Sequence, residues 1–214
     1  MPKATKKEIV TAFRTREILA AARKLLEQRG LEALTMEEIA ASAGVAKGTL
    51  YLYFQSKDEL ILALLSQVGE NILRDVEAAL QAPGTPPEKL TRMVEVLLDY
   101  LDRERLLFPI YAREVLQGKQ KSRESLWWHI QEMEEKFVTL MTGVFAEGIA
   151  SGQFIAANPR LLTFLVRGLV RATGYYQREE KRPDAAKEAL PVILNLLASG
   201  LILKKQFIAK ETAQ

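Results

Sequence analysis

Apolar residues recur at helical spacing along nearly the whole chain, and the alternation typical of strands is almost absent. The first stripe consists of Ile18, Leu19, Ala22, Leu25 and Leu26. Gly30 follows this stripe and is expected to close its helix, since glycine adopts the left-handed conformation common after a helix end. A second, shorter stripe consists of Met36, Ile39, Ala40 and Ala43, and Gly44 follows it. Two helices separated by a short turn are therefore predicted at the N-terminal end.

Capping signals predict where the second helix and two later helices begin. In a capping box a hydroxyl accepts the backbone N–H three residues on, and the carboxylate at that later position reaches back to the cap. The pairs with this spacing are Thr35 with Glu38, Ser56 with Glu59, and Thr85 with Glu88. Pro86 adds the residue type favoured at the first helical position.

The segment 81–89, QAPGTPPEK, interrupts the pattern, and more helices are predicted beyond it. They cover a stripe at 90–101, a short helix at 109–116 closed by Gly118, and a helix with its stripe at 126–144, about 27 residues and about 40 Å long. Asn158 begins another helix that ends around Tyr176. Asp184 is expected to cap the last helix, in which Pro191 predicts a kink or a late start. The fold class predicted is all-α with about nine helices.

Composition and charge narrow the class of protein. With 48% hydrophobic and 27% charged residues, the chain has enough apolar material for a substantial core. It contains no cysteine, so disulfides and thiolate metal sites are excluded, and its most apolar stretch, 190–203, is too short to span a bilayer. No apolar segment follows the basic N-terminus, so a cytoplasmic protein without a membrane partner is expected. The first 30 residues hold eight basic and three acidic residues, which favours a phosphate-bearing partner or a solubilising tail.

The spacing from residue 35 to residue 54 predicts a helix-turn-helix. A capped helix of about eight residues meets the turn 44–46, and a second short helix follows. Val45, Leu50 and Phe54 fall where they can be buried against the first two helices. The remaining side chains then face outward, as in a recognition helix that enters the major groove of DNA.

The outward residues have the chemistry for DNA contact. Lysine and tyrosine can bind phosphate, threonine can contact a base or a phosphate, and glycine lets the backbone approach a strand closely. The candidate DNA-binding residues are Thr35, Lys47, Gly48, Thr49, Tyr51, Tyr53 and Lys57. An ordinary helical hairpin with solvated lysines and tyrosines is the alternative.

The segments TREILAAARKLLEQRGLEALT and TMEEIAASAGVAKGTLYLYFQSKDEL resemble the DNA-binding signature of the TetR family of bacterial transcriptional repressors. The resemblance covers about residues 14–62. It implies a recognition helix from Lys47 to Tyr53 and phosphate contacts at Thr35, Tyr51, Tyr53 and Lys57. Two positions depart from the common family pattern: Ala46 stands where serine is frequent, and Leu52 where an aromatic residue or arginine is frequent.

The resemblance also implies a helix-turn-helix domain at 1–58 and a larger helical effector-binding and dimerisation domain at 59–214. The segments 158–176 and 190–203 are apolar on more than one face, which is typical of helices buried on both sides. One face of each can serve the monomer core and the other a second copy, with Gly168 and Gly174 allowing close approach. The candidate dimer residues are Leu165, Leu169, Leu197 and Leu201; a large monomeric core is the alternative.

A hydrophobic effector pocket is predicted among the middle helices, because pockets are mostly apolar with a few polar groups. The candidate ligand-binding residues are Phe108, Tyr111, Trp127, Trp128, Met133 and Phe137. Arg103, Glu114, His129 and Arg171 are possible polar partners. Plain core packing is the alternative for each aromatic residue.

An enzyme is not favoured. The chain has one histidine, His129, and contains neither a P-loop nor a Gly-x-Ser-x-Gly motif. No catalytic residue, metal site or cofactor is expected. The sequence predicts a homodimeric, ligand-responsive repressor of a palindromic DNA operator; a helical protein-interaction module and a DNA-binding regulator without an effector remain as alternatives.

Overall fold

The computed structural model of the protein describes residues 5–112 and 125–202, and these residues form nine α-helices and no strand. The helices are α1 (Lys6–Arg29), α2 (Met36–Ser42), α3 (Lys47–Tyr51), α4 (Lys57–Gln81), α5 (Pro86–Arg103), α6 (Phe108–Tyr111), α7 (Ser125–Ala150), α8 (Pro159–Glu179) and α9 (Ala185–Gly200). The predicted all-α fold class is confirmed.

The chain divides into two compact units. The first holds residues 5–68 with the described part of 109–130, and the second holds 69–108 and 131–202. Helices α4 and α7 each contribute residues to both units. The domain division at residue 58 stays a prediction.

In the first unit, α1 packs on α2 and α2 packs on α3. The two predicted stripes supply much of its interior, since Ile18, Ala22, Leu26 and Ile39 are buried. The other buried residues of this interior include Leu50, Leu60 and Leu64. Gly30 ends α1 as expected, with φ at 77° and its N–H donated to the carbonyl of Leu26 at 2.9 Å. The side chains that position α3 are therefore the apolar ones that the helical spacing selects.

The first turns of α1 extend away from this interior. A capping box begins the helix, in which the Thr5 N–H donates to Glu8 at 2.7 Å and the Glu8 N–H donates to the Thr5 hydroxyl at 3.3 Å. Ile9, Val10 and Phe13 are exposed, and from residue 8 onward the first buried residue of α1 is Ile18. This part of the helix is thus held by its own backbone hydrogen bonds, its cap and local side-chain contacts such as Arg14–Glu17 at 2.7 Å.

The three predicted capping boxes have different outcomes. The Thr85–Glu88 box is complete, with Pro86 in the first turn of α5. At Ser56 the hydroxyl accepts the Glu59 N–H at 3.1 Å, but the Glu59 carboxylate accepts the N–H of Gln55 at 2.6 Å, one residue before the cap.

The Thr35 hydroxyl also accepts from the backbone three residues on, at 3.2 Å. The Glu38 carboxylate, however, accepts from the Thr35 hydroxyl at 3.1 Å and from Arg29 at 2.7 Å. The hydrogen bond from Arg29 thus engages the carboxylate that a complete capping box would use, and it links the end of α1 to the start of α2.

The second unit has its core between α5, α7, α8 and α9, and α9 packs on both α5 and α8. The predicted stripe of α5 is buried at Leu90, Met93, Val94, Leu98 and Leu101. Two polar contacts secure the end of α4 against α5. Arg92 donates to the carbonyls of Ala79 and Ala82 at 3.0 Å each, and the Tyr100 hydroxyl donates to Asp75 at 2.6 Å.

The later helices follow the prediction in outline and correct it in detail. The Asn158 side chain caps α8 by accepting the Leu161 N–H at 3.1 Å, and α8 runs past Tyr176 to Glu179. Asp184 precedes α9 but makes no side-chain cap, since its carboxylate pairs with Lys187 at 3.1 Å.

The predicted late start at Pro191 is wrong, because α9 begins at Ala185 and continues through the proline. The predicted short helix is described only as Phe108–Tyr111; Glu114 and Gly118 lie outside the described residues.

Candidate nucleic-acid interface

The turn between α2 and α3 is set by one glycine and one alanine. Gly44 has φ at 66°, a conformation that side chains rarely adopt, and the Val45 N–H donates back to the Ala40 carbonyl at 3.0 Å. Ala46 then caps α3 with an extended backbone and no side-chain hydrogen bond. The chain therefore reverses sharply and begins α3 without the hydroxyl that a serine would supply.

Two apolar residues fix which face of α3 turns outward. Leu50 is fully buried and Phe54 is 4% exposed, so both anchor the segment as predicted, whereas Val45 is only half-buried. Leu52, at 83% exposure, lies on the outside. The burial of Leu50 therefore turns the opposite side of α3 outward.

The candidate DNA-binding residues of α3 lie on that face. Lys47, Gly48 and Tyr51 are exposed, while Thr49 is half-buried. A Cβ added at Gly48 would meet no atom within 4 Å, so the fold itself does not require glycine there. Tyr53, predicted to face outward, is half-buried.

Lys47 is paired with an acidic residue of the neighbouring helix. Its ammonium contacts the carboxylate of Glu37 on α2, and both side chains are more than half exposed. The hydrogen bond from Lys47 lowers the pKa of Glu37, and the same bond raises the pKa of Lys47. The sequence analysis did not predict this partner. The sequence feature that could have indicated it is the acidic residue two positions after Thr35, the cap of α2.

Lys57 serves as a tie within the first unit. Its ammonium donates to the backbone carbonyl of Leu31 at 2.7 Å, which links the start of α4 to the segment after α1. The side chain is half-buried. Lys57 thus has a structural partner in addition to the phosphate contact predicted for it, while Thr35 is held in the cap of α2.

The candidate ligand residues divide between the two units. In the second unit, Met133 and Phe137 are each 5% exposed, and the Phe108 ring lies edge-on to Tyr175 with centroids 5.8 Å apart. In the first unit, Trp128 is 63% exposed, whereas Tyr111 and Trp127 are half-buried. The structure therefore places Met133 and Phe137 inside packed protein and Trp128 at the surface.

A charged cluster that the sequence did not reveal lies beside Phe137. Arg167 is buried, contacts the Glu134 carboxylate and places its guanidinium 5.1 Å from the centre of the Phe137 ring. Arg171, one of the predicted polar partners, lies 4.0 Å from the same carboxylate. Arg103 instead pairs with Asp99 at 2.9 Å on the surface. Two guanidiniums thus share one carboxylate in the second unit.

The candidate dimer residues differ in exposure. Leu165 is 58% exposed and Leu169 is half-buried, but Leu197 and Leu201 belong to the core of the second unit. Leu197 and Leu201 are enclosed by the core of their own chain and leave little surface for a second copy. The outward apolar residues of α9 are Val192 and Leu196.

The two glycines of α8 also differ. A Cβ on Gly174 would lie 2.5 Å from the Phe108 ring, so this glycine serves packing within the chain, whereas nothing lies within 4 Å of a Cβ on Gly168. Gly168 shares the outward face of α8 with exposed apolar side chains: Leu161, Phe164, Leu165, Tyr175 and Tyr176.

No helix within 5–112 or 125–202 is long and apolar enough to cross a membrane. In the same ranges, no three His, Asp or Glu side chains are grouped so as to hold a metal ion.

Two family profiles match the chain. One, described as bacterial regulatory proteins of the tetR family, covers residues 18–64. The other, described as the C-terminal domain of tetracyclin repressor-like proteins, covers residues 83–175. The first match contains the whole α2–turn–α3 segment, and the second contains α5 and most of α8.

Individual proteins are similar over most of the chain. The uncharacterized HTH-type transcriptional regulator YhgD of Bacillus subtilis is 28% identical over 184 residues, which are 86% of this chain and 93% of that protein. The HTH-type transcriptional repressor KstR2 of Mycolicibacterium smegmatis is 26% identical over 87% of this chain and 88% of its own length. The crystal structure of the transcriptional regulator FadR from Bacillus subtilis in complex with stearoyl-CoA aligns with a TM-score of 0.69 at 25% identity, covering 86% of this chain and 98% of FadR.

Proposed function

The chain belongs to the TetR family of bacterial regulatory proteins and is a DNA-binding transcriptional regulator; on this premise we propose that it is a homodimeric, cytoplasmic repressor that leaves a palindromic operator when a hydrophobic effector binds. The name of the similar KstR2 protein supports the repressor role. The observation that carries the proposal is the outer face of α3, where Lys47, Gly48 and Tyr51 are exposed while Leu50 is fully buried.

In the proposed complex α3 lies in the major groove. Thr49 contacts a base edge or a thymine methyl, and Tyr51 donates to a phosphate. Gly48 lets the helix backbone approach the sugar-phosphate strand, since no protein atom occupies the space beside it. Leu52, exposed on the same side, is suited to an apolar contact with a thymine methyl.

The proposed function is tested by fluorescence anisotropy with a duplex taken from the region upstream of the protein's own gene. We expect tight, salt-sensitive binding, and Thr49→Ala should change the preference among duplexes with single base-pair substitutions. Glu27→Gln, an exposed change on α1, serves as the control. A folded protein that binds no duplex at low ionic strength would refute the proposal.

Dimerisation is proposed to use the outward apolar faces of α8 and α9. Seven large apolar side chains are exposed there: Leu161, Phe164, Leu165, Tyr175, Tyr176, Val192 and Leu196. Exposed apolar side chains concentrated on two helices that pack together are typical of an interface. Two recognition helices held roughly 34–36 Å apart, or a multiple of that distance, would contact successive turns of a palindrome.

The proposed effector carries a long acyl chain, because the similar FadR structure contains stearoyl-CoA. Within this chain, Arg167 and Arg171 share a single carboxylate beside Phe137, which leaves a positive charge suited to an anionic group next to an aromatic ring. Stearoyl-CoA added to the preformed DNA complex should lower its anisotropy to that of free DNA, and Arg171→Gln should raise the concentration required. Free stearate and coenzyme A, added separately, serve as controls.

A DNA-binding regulator without an effector is the second candidate. The burial of Met133 and Phe137 in the second unit favours it, because both side chains act as ordinary core there. Stable DNA binding in saturating stearoyl-CoA, together with no thermal shift of the protein, would support this candidate over the acyl-responsive one.

A further inference from the structure

The helix-turn-helix segment has an unusual charge balance for a surface that meets a polyanion. Residues 35–54 contain two acidic side chains, Glu37 and Glu38, and one basic side chain, Lys47. Glu38 is engaged by Arg29 at 2.7 Å, so its charge is compensated from α1. Glu37 is engaged by Lys47, which is the cation of the recognition helix itself.

The Glu37–Lys47 contact lies on the surface proposed to face DNA. The two side chains are 58% and 56% exposed, and they come from different helices, α2 and α3. An exposed ion pair contributes little to the free energy of folding, so the contact is not needed to hold α3 in place. Leu50, fully buried, performs that task.

We propose that the Glu37 carboxylate occupies, in the DNA-free protein, the position at Lys47 that a backbone phosphate takes in the complex. Both are anionic oxygen acceptors for the same ammonium, so DNA binding at this point is an exchange of partners. Glu37 is then a positioning residue that acts through Lys47 and weakens binding to every duplex. The inference rests on the proposed DNA-binding role of α3.

The exchange of partners at Lys47 should change how strongly the DNA affinity depends on salt concentration. Each lysine that neutralises a phosphate releases condensed cations from DNA and contributes about −0.9 to the slope of log K against log salt concentration. A carboxylate released beside the DNA attracts cations back and offsets part of that contribution. Removal of the Glu37 charge should therefore steepen the slope by up to about 0.9 for each protomer.

The test is Glu37→Gln, which keeps the side-chain length and removes the charge. Anisotropy titrations over a series of KCl concentrations use two duplexes, one from the region upstream of the protein's own gene and one of random sequence. We expect roughly three- to ten-fold tighter binding to both at low salt, because Lys47 no longer gives up a carboxylate partner when it binds a phosphate. Glu27→Gln removes an exposed carboxylate of the same unit and should leave both affinities and slopes unchanged.

Two further variants, Lys47→Ala alone and Lys47→Ala combined with Glu37→Gln, decide whether Glu37 acts through Lys47. Their DNA affinities are measured in the same titrations. If Glu37 acts through Lys47, Glu37→Gln should not increase DNA affinity when Lys47 is already alanine. A gain of the same size in that background would overturn the proposal, because general repulsion of DNA does not require the lysine.

Two other results separate this inference from the function it rests on. If the unmodified protein binds DNA and Glu37→Gln behaves like Glu27→Gln, the exchange at Lys47 is refuted and the proposed function stands. If the unmodified protein binds neither duplex at low salt, both are refuted. Circular dichroism melts of every variant establish that folded protein is compared.

Discussion

Single residues show most clearly which features of the interface a sequence can reveal. Gly44 and Leu50 were predictable, because a left-handed turn favours glycine and helical spacing selects the buried side chain. The partners of Lys47 and Lys57 were not predictable, since one is a carboxylate on another helix and the other a backbone carbonyl 26 residues away. At these positions the local pattern identified the turn and the buried anchor, whereas the partners of the lysines depend on how the helices pack.

Gly48→Ala should separate folding from DNA binding. The space beside Gly48 is open, so alanine fits and should leave stability unchanged or raise it by up to about 1 kcal/mol through its higher helix propensity. If DNA lies against this point, the added methyl group should weaken binding about ten-fold, or about 1.4 kcal/mol. Thermal melts and anisotropy measure the two effects.

The matched control for that experiment is Gly143→Ala, at another open and exposed helical glycine, which lies on α7. It should leave DNA affinity unchanged. Equal DNA affinity of Gly48→Ala and the unmodified protein would argue against close approach at α3.

Tyr100 should make stability sensitive to alkaline pH. Burial and the hydrogen bond to Asp75 raise the pKa of Tyr100 from 10.0 to about 12. Between these values the folded protein keeps a proton that the unfolded chain has lost, so the free energy of unfolding falls as pH rises from 10 towards 12. Tyr100→Phe should be about 1 kcal/mol less stable near neutral pH and should show a shallower alkaline fall.

Urea unfolding across this pH range measures both effects, with Tyr51→Phe as the control at an exposed tyrosine. An alkaline fall of undiminished steepness in Tyr100→Phe would assign the sensitivity to other groups.

Among the helices, the sequence predicted most starts and fewer details of their ends. Thr85 and Asn158 cap their helices as expected, because such a cap depends only on residues three apart. Pro191 did not delay the start of α9, since a proline that removes one hydrogen bond is tolerated when the helix around it is packed, as α9 is on α5 and α8. The extent of α9 depends on its packing against α5 and α8, and a local sequence pattern carries no information about that packing.

Two glycines of α8 should respond oppositely to alanine. In Gly174→Ala the new Cβ would lie 2.5 Å from the Phe108 ring and 2.8 Å from Leu101, so a loss of about 1–3 kcal/mol in stability is expected. Gly168→Ala meets no atom of its own chain and should not lower the stability of the isolated protomer.

Chemical denaturation at low and high protein concentration distinguishes the cases. If the outward face of α8 contacts a second copy, Gly168→Ala should weaken self-association, and Gly174→Ala should act at every concentration. If both variants lose similar stability at low protein concentration, the space beside each glycine does not determine how α8 responds to alanine.

For the whole molecule, the sequence predicted an all-α fold and left the division of apolar surface open. A helix that is apolar all round has two buried faces, but the pattern does not assign either face to the core. The structure assigns Leu197 and Leu201 to the core and leaves Leu165 and Leu196 outside. This distinction requires the positions of neighbouring helices, which sequence spacing alone does not supply.

Leu165→Glu combined with Leu196→Glu should convert the proposed dimer to a monomer. Charges at the centre of an apolar interface are costly to desolvate, so dissociation is expected without loss of helical content. Analytical ultracentrifugation should show half the mass, and affinity for a palindromic duplex should fall by at least about 100-fold because two linked contacts become one.

Leu106→Glu is the control, since this exposed leucine lies outside α8 and α9. A double variant that remains dimeric would place the interface elsewhere on the chain.

The projecting start of α1 has a consequence for how the protein opens. Residues 8–16 bury no side chain and have only the Thr5–Glu8 cap and local contacts such as Arg14–Glu17, whereas Ile18, Ala22 and Leu26 fasten the rest of the helix to the first unit. One continuous helix therefore combines two levels of protection against solvent. Its amide hydrogens should exchange with deuterium quickly before residue 17 and slowly after it, and a protease should trim the chain to that point and then stop.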